Sequence, residues 1–105
     1  MKNSSDILSE IKRIVTEKDS TAKVYLYGSR AKGNFNKESD WDLLILLNRD
    51  KITLEIENSI SDPLYDLELE TGEIISPMIY SENEWNNKYR ITPFYENVMK
   101  VAKLL

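Results

Sequence analysis

Residues 24–47 constrain this chain more than any other stretch. They read Val-Tyr-Leu-Tyr-Gly-Ser-Arg-Ala-Lys-Gly, a short polar loop, then Ser-Asp-Trp-Asp-Leu-Leu-Ile-Leu-Leu. The order is strand, glycine turn, loop, strand. Gly28 follows an apolar strand and can take backbone angles closed to other residues. It lets the main chain come close to a ligand, and the amides after it can point at an anion. Ser29 adds a hydroxyl donor, Arg30 and Lys32 add positive charge, and Gly33 permits a second sharp turn. Gly28, Ser29 and Arg30 are therefore candidate phosphate-binding residues. Taken alone, the same residues also suit an ordinary strand-to-helix turn.

The second half of the stretch offers a place for a metal. Residues two apart in a strand point the same way, so Asp40 and Asp42 share a face, with Cα atoms about 6–7 Å apart. Two carboxylates there suit a hard divalent cation such as Mg²⁺, which takes oxygen ligands and commonly one or two carboxylates plus substrate phosphates. Trp41, Leu43, Ile45 and Leu47 point to the opposite face. Leu44 and Leu46 follow the acids on their own face, so the strand is apolar on both sides beyond its start. That pattern predicts a central strand covered on both faces. A polar strand entrance is the plainer account of a lone Asp-x-Asp.

Gly28-Ser29, ten intervening residues, then Asp40-x-Asp42 resembles the signature of the nucleotidyltransferase fold of the DNA polymerase beta superfamily. The flanks agree: an apolar strand before Gly28, Arg-Ala-Lys-Gly after Ser29, Ser39 before the first acid and Leu-Leu-Ile after the second. In a chain of 105 residues the likeness is to the minimal nucleotidyltransferases of bacteria and archaea. The resemblance implies an α/β (α+β) fold, a small mixed sheet of about three strands with helices packed on it. It also implies Asp40 and Asp42 as catalytic metal ligands for Mg²⁺, and ATP or another nucleoside triphosphate as substrate.

Composition narrows the chemistry further. A length of 105 residues with 41% hydrophobic content predicts one domain, residues 1–105, with one core. There is no cysteine and no histidine, which excludes disulfides, thiol chemistry, a Ser-His-Asp triad and histidine metal ligands or bases. No run approaches the eighteen or so apolar residues of a membrane span, and the polar start does not read as a signal peptide. A cytoplasmic location is the expectation. A net charge of −4 argues against broad nucleic-acid binding, which needs a basic face.

Around the central stretch, residues Ser5 to Lys18 predict an amphipathic helix. Ile7, Leu8, Ile11, Ile14 and Val15 form its stripe, with Ser4 or Ser5 as cap. Asp19-Ser20 ends it before a strand over Lys23–Tyr27, on which Tyr25 and Tyr27 face away from Val24 and Leu26. These tyrosines either pack under a helix or stack on a base. From Thr53 to Thr71 the spacing of Ile56, Ile60, Leu64 and Leu67 predicts a helix closed by Gly72, with a kink or break at Pro63. The alternation of residues 66–70 allows a strand instead. Glu73–Tyr80 predicts a third strand, held to an edge or made irregular by Pro77. Ser81-x-x-Glu84 resembles a capping box for a short helix through Trp85. Thr92-Pro93 opens the last helix, with Phe94, Val98, Val101, Ala102 and Leu105 as its buried stripe.

One departure from the family matters. Members that transfer a nucleotide usually carry a third carboxylate in the third strand. Here the middle of that strand offers Ser76 and Pro77, and Glu70 or Glu73 would reach the site only by a shifted register. The resemblance implies nucleotide and Mg²⁺ binding through Ser29, Asp40 and Asp42, with Arg30 or Lys32 either neutralising pyrophosphate or simply solvated. Loss of a positioned base typically costs about 10²–10⁴ in rate, so transfer would be slow. Minimal nucleotidyltransferases often pair with an all-helical HEPN protein, which implies an antitoxin that places AMP on a tyrosine of a toxic RNase. The alternative is a nucleotide-binding or partner-binding module weakened in catalysis. Transfer to a small molecule such as an aminoglycoside is disfavoured, since no acceptor domain is evident.

Overall fold

Alternation and periodicity translate directly into layers. The computed structural model describes residues 4–105, with the side chains of residues 4 and 5 outside the description. The expected capping by Ser4 or Ser5 lies outside the described residues. The elements run α1 (Ser4–Lys18), β1 (Lys23–Tyr27), α2 (Ser29–Lys32), β2 (Trp41–Leu47), α3 (Leu54–Thr71), β3 (Ile75–Ser81), α4 (Glu82–Asn87), α5 (Pro93–Val101) and β4 (Lys103–Leu104). The sheet order is β3-β2-β1-β4. β1 lies antiparallel to β2 and β4, and β3 lies parallel to β2.

β2 is the centre, as its two apolar faces predicted. Trp41, Leu43, Ile45 and Leu47 join Val24 and Leu26 of β1 under α1 and α3, which supply Ile7, Ile11, Ile14, Val15, Ile60, Leu64 and Leu67. Leu44 and Leu46 face the other layer, where Trp85 of α4 and Val98 of α5 cover them beside the half-buried Tyr25 and Tyr27. Leu43, Leu44, Ile45 and Leu47 are wholly buried, and each such side chain contributes about 1.5–3 kcal/mol of transfer free energy. The sheet is thus a slab between two helical layers. Among the described residues, no helix is long and apolar enough to cross a membrane.

Local signals hold at most boundaries. The Thr53 hydroxyl accepts the Ile56 amide at 3.2 Å to start α3, and Gly72 ends it at φ +77° with its amide on the Glu68 carbonyl. The helix runs unbroken through Pro63, so neither two helices nor a strand over residues 66–70 forms. The apolar stripe facing α1 outweighs the one hydrogen bond that proline cannot make. Ser81 caps α4 by accepting the Glu84 amide at 3.3 Å, and Thr92 caps α5 through the Tyr95 amide at 3.1 Å. Asp19 closes the α1–β1 turn. Burial opposes its charge, but Thr21 and the Arg49 guanidinium outweigh that and hold its carboxyl below the usual range.

Two expectations change. Pro77 sits on an edge strand, as its missing donor requires, but the sheet has four strands rather than about three. The fourth comes from the end of the expected last helix. Ala102 leaves helical geometry at φ −61°, ψ 135°, and Lys103–Leu104 pair with β1. The Leu105 amide donates to the Val24 carbonyl at 2.9 Å. An open edge of β1 captures the segment, because its unpaired backbone groups offer a ladder that a last helical turn cannot. Leu105 accordingly packs on the α1/α3 side of the sheet, not on a helical stripe with Val98.

Candidate active site

The antiparallel register of β1 and β2 sets Tyr27 opposite Asp42. The next residue, Gly28, then passes directly over the Asp42 side chain. Its φ of +75° and ψ of −158° lie in a region essentially confined to glycine. A Cβ at Gly28 would overlap Asp42 Oδ2 and sit 3.1 Å from Cγ. The Gly28 carbonyl accepts the amides of Ala31 and Lys32, each at 3.1 Å, and Gly33 N donates to Ser29 O at 3.0 Å. These bonds wind residues 29–32 into the single turn of α2. The Ser29 and Arg30 amides stand at its open end, where a helix leaves donors outside its own ladder.

Asp40 lies just before β2 and is exposed, while Asp42 is half-buried. Burial raises the Asp42 carboxyl above its usual range, and the neighbouring charge of Asp40 raises it further. The two acids are thus close enough to repel each other. Beside them, burial and then the charges of Asp42 and Tyr80 push the Tyr27 phenol up to about 12. It stays protonated at neutral pH. Tyr27 packs in the layer with Trp85 and Val98 and also borders a cleft with Gly28 and Lys32.

The Arg30 guanidinium, unlike its backbone amide, is not at the phosphate turn. The side chain is 4% exposed and runs to the opposite face of the sheet, under the 34–39 loop. Nε donates to the Ser39 carbonyl at 3.0 Å, and a terminal nitrogen reaches the carbonyls of Asn36 at 3.4 Å and Lys37 at 3.5 Å. The guanidinium stacks 3.8 Å from the centre of the Trp41 ring and 4.9 Å from that of Phe35. Glu73 lies 3.6 Å away and also accepts the Trp41 indole N–H at 3.1 Å. Arg30 therefore fastens the loop that delivers Asp40. Its planar fork finds several carbonyls under the loop, a set that a solvated phosphate turn does not match. Of the two cations, Lys32 is the one placed at the turn.

The third-strand expectation is settled by register. β3 pairs with β2 so that Ser76 stands beside Asp42 and Pro77 beside Leu43. The position next to the acids on their face therefore holds a serine. Glu73 is committed to Trp41 and Arg30 on the other face. Glu70 borders a separate cleft between α1 and α3, with Arg13 and Pro63. Among the described residues, no group of three or more acids is arranged to hold a metal. The sequence reading missed the wall of the site. Phe94 and Asn97 of α5 border the cleft beside Gly28, and Phe94, which helical spacing puts on a buried stripe, is exposed. Its signal was the helix start at Thr92-Pro93, which fixes where α5 begins but not what covers it.

Comparisons with known proteins agree with this arrangement. A family model described as the nucleotidyltransferase domain matches residues 8–96. A putative protein adenylyltransferase of Methanocaldococcus jannaschii is 34% identical over 79 residues, covering 73% of this chain and 79% of that protein. A second putative protein adenylyltransferase of the same organism is 31% identical over 83 residues, covering 79% and 76%. A protein adenylyltransferase of Aphanizomenon flos-aquae is 40% identical over 47 residues, 45% of this chain, and the match spans only 31% of that longer relative. The match to the family model takes in the turn, both acids and the three principal strands, and on these grounds the chain belongs to the nucleotidyltransferase domain family.

Proposed function

We propose that the chain is a Mg²⁺-dependent nucleotidyltransferase that binds ATP, or another nucleoside triphosphate, and transfers NMP to an acceptor hydroxyl. The acceptor is a tyrosine of an all-helical HEPN-type partner, so that the chain acts as an antitoxin. The observation that carries the reading is the contact of Gly28 with Asp42, beside Asp40. It sets a glycine turn suited to phosphate directly against two acids suited to a cation. The relatives named as protein adenylyltransferases support ATP as donor and a protein as acceptor.

The donor set fits Mg²⁺. Asp40 and Asp42 offer only carboxylate oxygens and repel each other without a cation, and substrate phosphates would complete the shell. When bound, Mg²⁺ supplies charge stabilisation on the phosphoryl oxygens. The residues of the chain then have separate tasks. The amides after Gly28 and the Ser29 hydroxyl hold the β- and γ-phosphates, and Lys32 offsets charge on the leaving group. The acceptor oxygen bonds to the α-phosphorus as the bond to the β-phosphate bridging oxygen breaks. Pyrophosphate leaves, and the acceptor proton passes to solvent, because β3 presents Ser76 where a base would stand. That absence lowers the rate by about 10²–10⁴.

The same serine favours the second reading, a module that binds nucleotide or partner with catalysis weakened. Calorimetry with ATP and Mg²⁺ on the wild type and Asp42→Asn, followed by transfer of α-labelled AMP in lysate, separates the two. Metal-dependent binding that Asp42→Asn weakens at least tenfold, with slow transfer that Ser76→Asp accelerates, is expected of the transferase. Binding without transfer in either protein points to the module. A wild type that binds no nucleotide overturns both nucleotide readings.

A further inference from the structure

A cleft of about 190 Å³ opens beside the phosphate turn. Gly28 and Lys32 border one side, and α5 supplies Phe94, Asn97, Val98 and Val101 on the other. Phe94 is 43% exposed, which is unusual for a ring on the apolar side of an amphipathic helix. It is nevertheless braced. Its ring meets Trp85 edge-on, with centroids 5.9 Å apart at 90°. Trp85 is itself fully buried and held among Tyr80, Tyr89 and Tyr95. One part of Phe94 is therefore fixed by packing, while the rest is presented to the cleft. The exposed Asn97 amide makes no hydrogen bond among the described residues. An aromatic surface, aliphatic neighbours and one uncommitted amide, continuous with a turn suited to phosphates, match a flat heterocycle that carries a phosphate chain.

We propose that this cleft receives the base of the nucleotide, with Phe94 as its stacking surface and Asn97 as the hydrogen-bonding partner of its edge. The proposal rests on the nucleotide reading above and adds where the base sits. Stacking on an aromatic ring supplies affinity for any base. An asparagine amide adds a donor and an acceptor side by side, the pair that an adenine edge accepts.

Titration calorimetry of the full chain with ATP and with inorganic tripolyphosphate, both with Mg²⁺, tests this. The wild type is expected to bind ATP at least tenfold more tightly than tripolyphosphate. Phe94→Leu keeps an apolar side chain against Trp85 and removes the aromatic face. It is expected to weaken ATP by about tenfold and leave tripolyphosphate unchanged. Asn97→Ala, at an exposed position, should act in the same direction with a smaller loss. Equal weakening of both ligands by Phe94→Leu, or no weakening of ATP, overturns the base site while leaving the phosphate turn in place. A wild type that binds neither ligand fails the nucleotide reading itself, and the base site with it.

Discussion

Gly28→Ala is expected to unfold at markedly lower urea than the wild type, by about 2–4 kcal/mol, and to lose Mg²⁺-dependent nucleotide binding. Two costs coincide at this position. The backbone at φ +75°, ψ −158° is strained for any residue with a Cβ, and the added methyl would overlap the Asp42 carboxylate. The half-buried Asp42 carboxylate must swing away to relieve the overlap, and this displaces it from the turn, while its Cβ, fixed on the central strand opposite Tyr27, stays 3.3 Å from the added methyl. Gly33→Ala is the control. Gly33 also has positive φ, at +87°, but a Cβ there meets nothing within 4 Å. It should cost about 1 kcal/mol and leave binding intact. Equal effects in the two variants would show that the close approach of Gly28 to Asp42 has no role beyond backbone strain.

Arg30→Ala should show the other large effect. It removes a cation whose side chain is 4% exposed and leaves the carbonyls of Lys37 and Ser39 without this donor, while the Asn36 carbonyl keeps only the Ser39 amide. It also empties the space between Trp41 and Phe35. A loss of about 3 kcal/mol follows from breaking charge-assisted hydrogen bonds in a buried place. Since the 34–39 loop delivers Asp40, the variant should need more Mg²⁺ for the same nucleotide affinity, while metal-free phosphate binding changes less. Arg30→Lys keeps the charge but not the planar fork and should recover little. Urea unfolding and a Mg²⁺ titration of ATP binding measure the two parts. A variant within 0.5 kcal/mol of wild type, as ordinary surface changes are, would remove the loop-fastening role.

The parts of the site that the sequence made legible are those whose signal is local. Gly28-Ser29 and Asp40-x-Asp42 each need only a strand and a turn to be placed, and the alternation in β1 and β2 fixes which face each side chain takes. Pro77 could be put at an edge because a missing donor is a property of one residue. Arg30 was illegible for the opposite reason. Its sequence neighbours, Ser29 and Lys32, read as phosphate-binding, but its partners are carbonyls six to nine residues on and a ring on the next strand. A long cation beside a turn goes wherever the most acceptors lie. Phe94 and Leu105 show a second kind of limit. Helical spacing says which residues share a face, but not whether another element covers that face. It also does not say when an open strand edge will draw the chain out of the helix, as happens after Val101.

The antiparallel pairing of β1 with β2 also has a kinetic meaning. Gly28 and Asp42 meet by closing the short connection of residues 28–40 between the two strands. The parallel partner β3 can join only after the whole of α3 has bridged the crossover. Loop closure is cheaper for the shorter span, and non-local parallel pairing is intrinsically slow. The turn and its acids are then assembled early, and Ser76 is a late arrival beside them. Pulse-labelled hydrogen exchange should show amides of β1 and β2 protected before those of β3, whereas simultaneous protection would mean that the sheet condenses in one step.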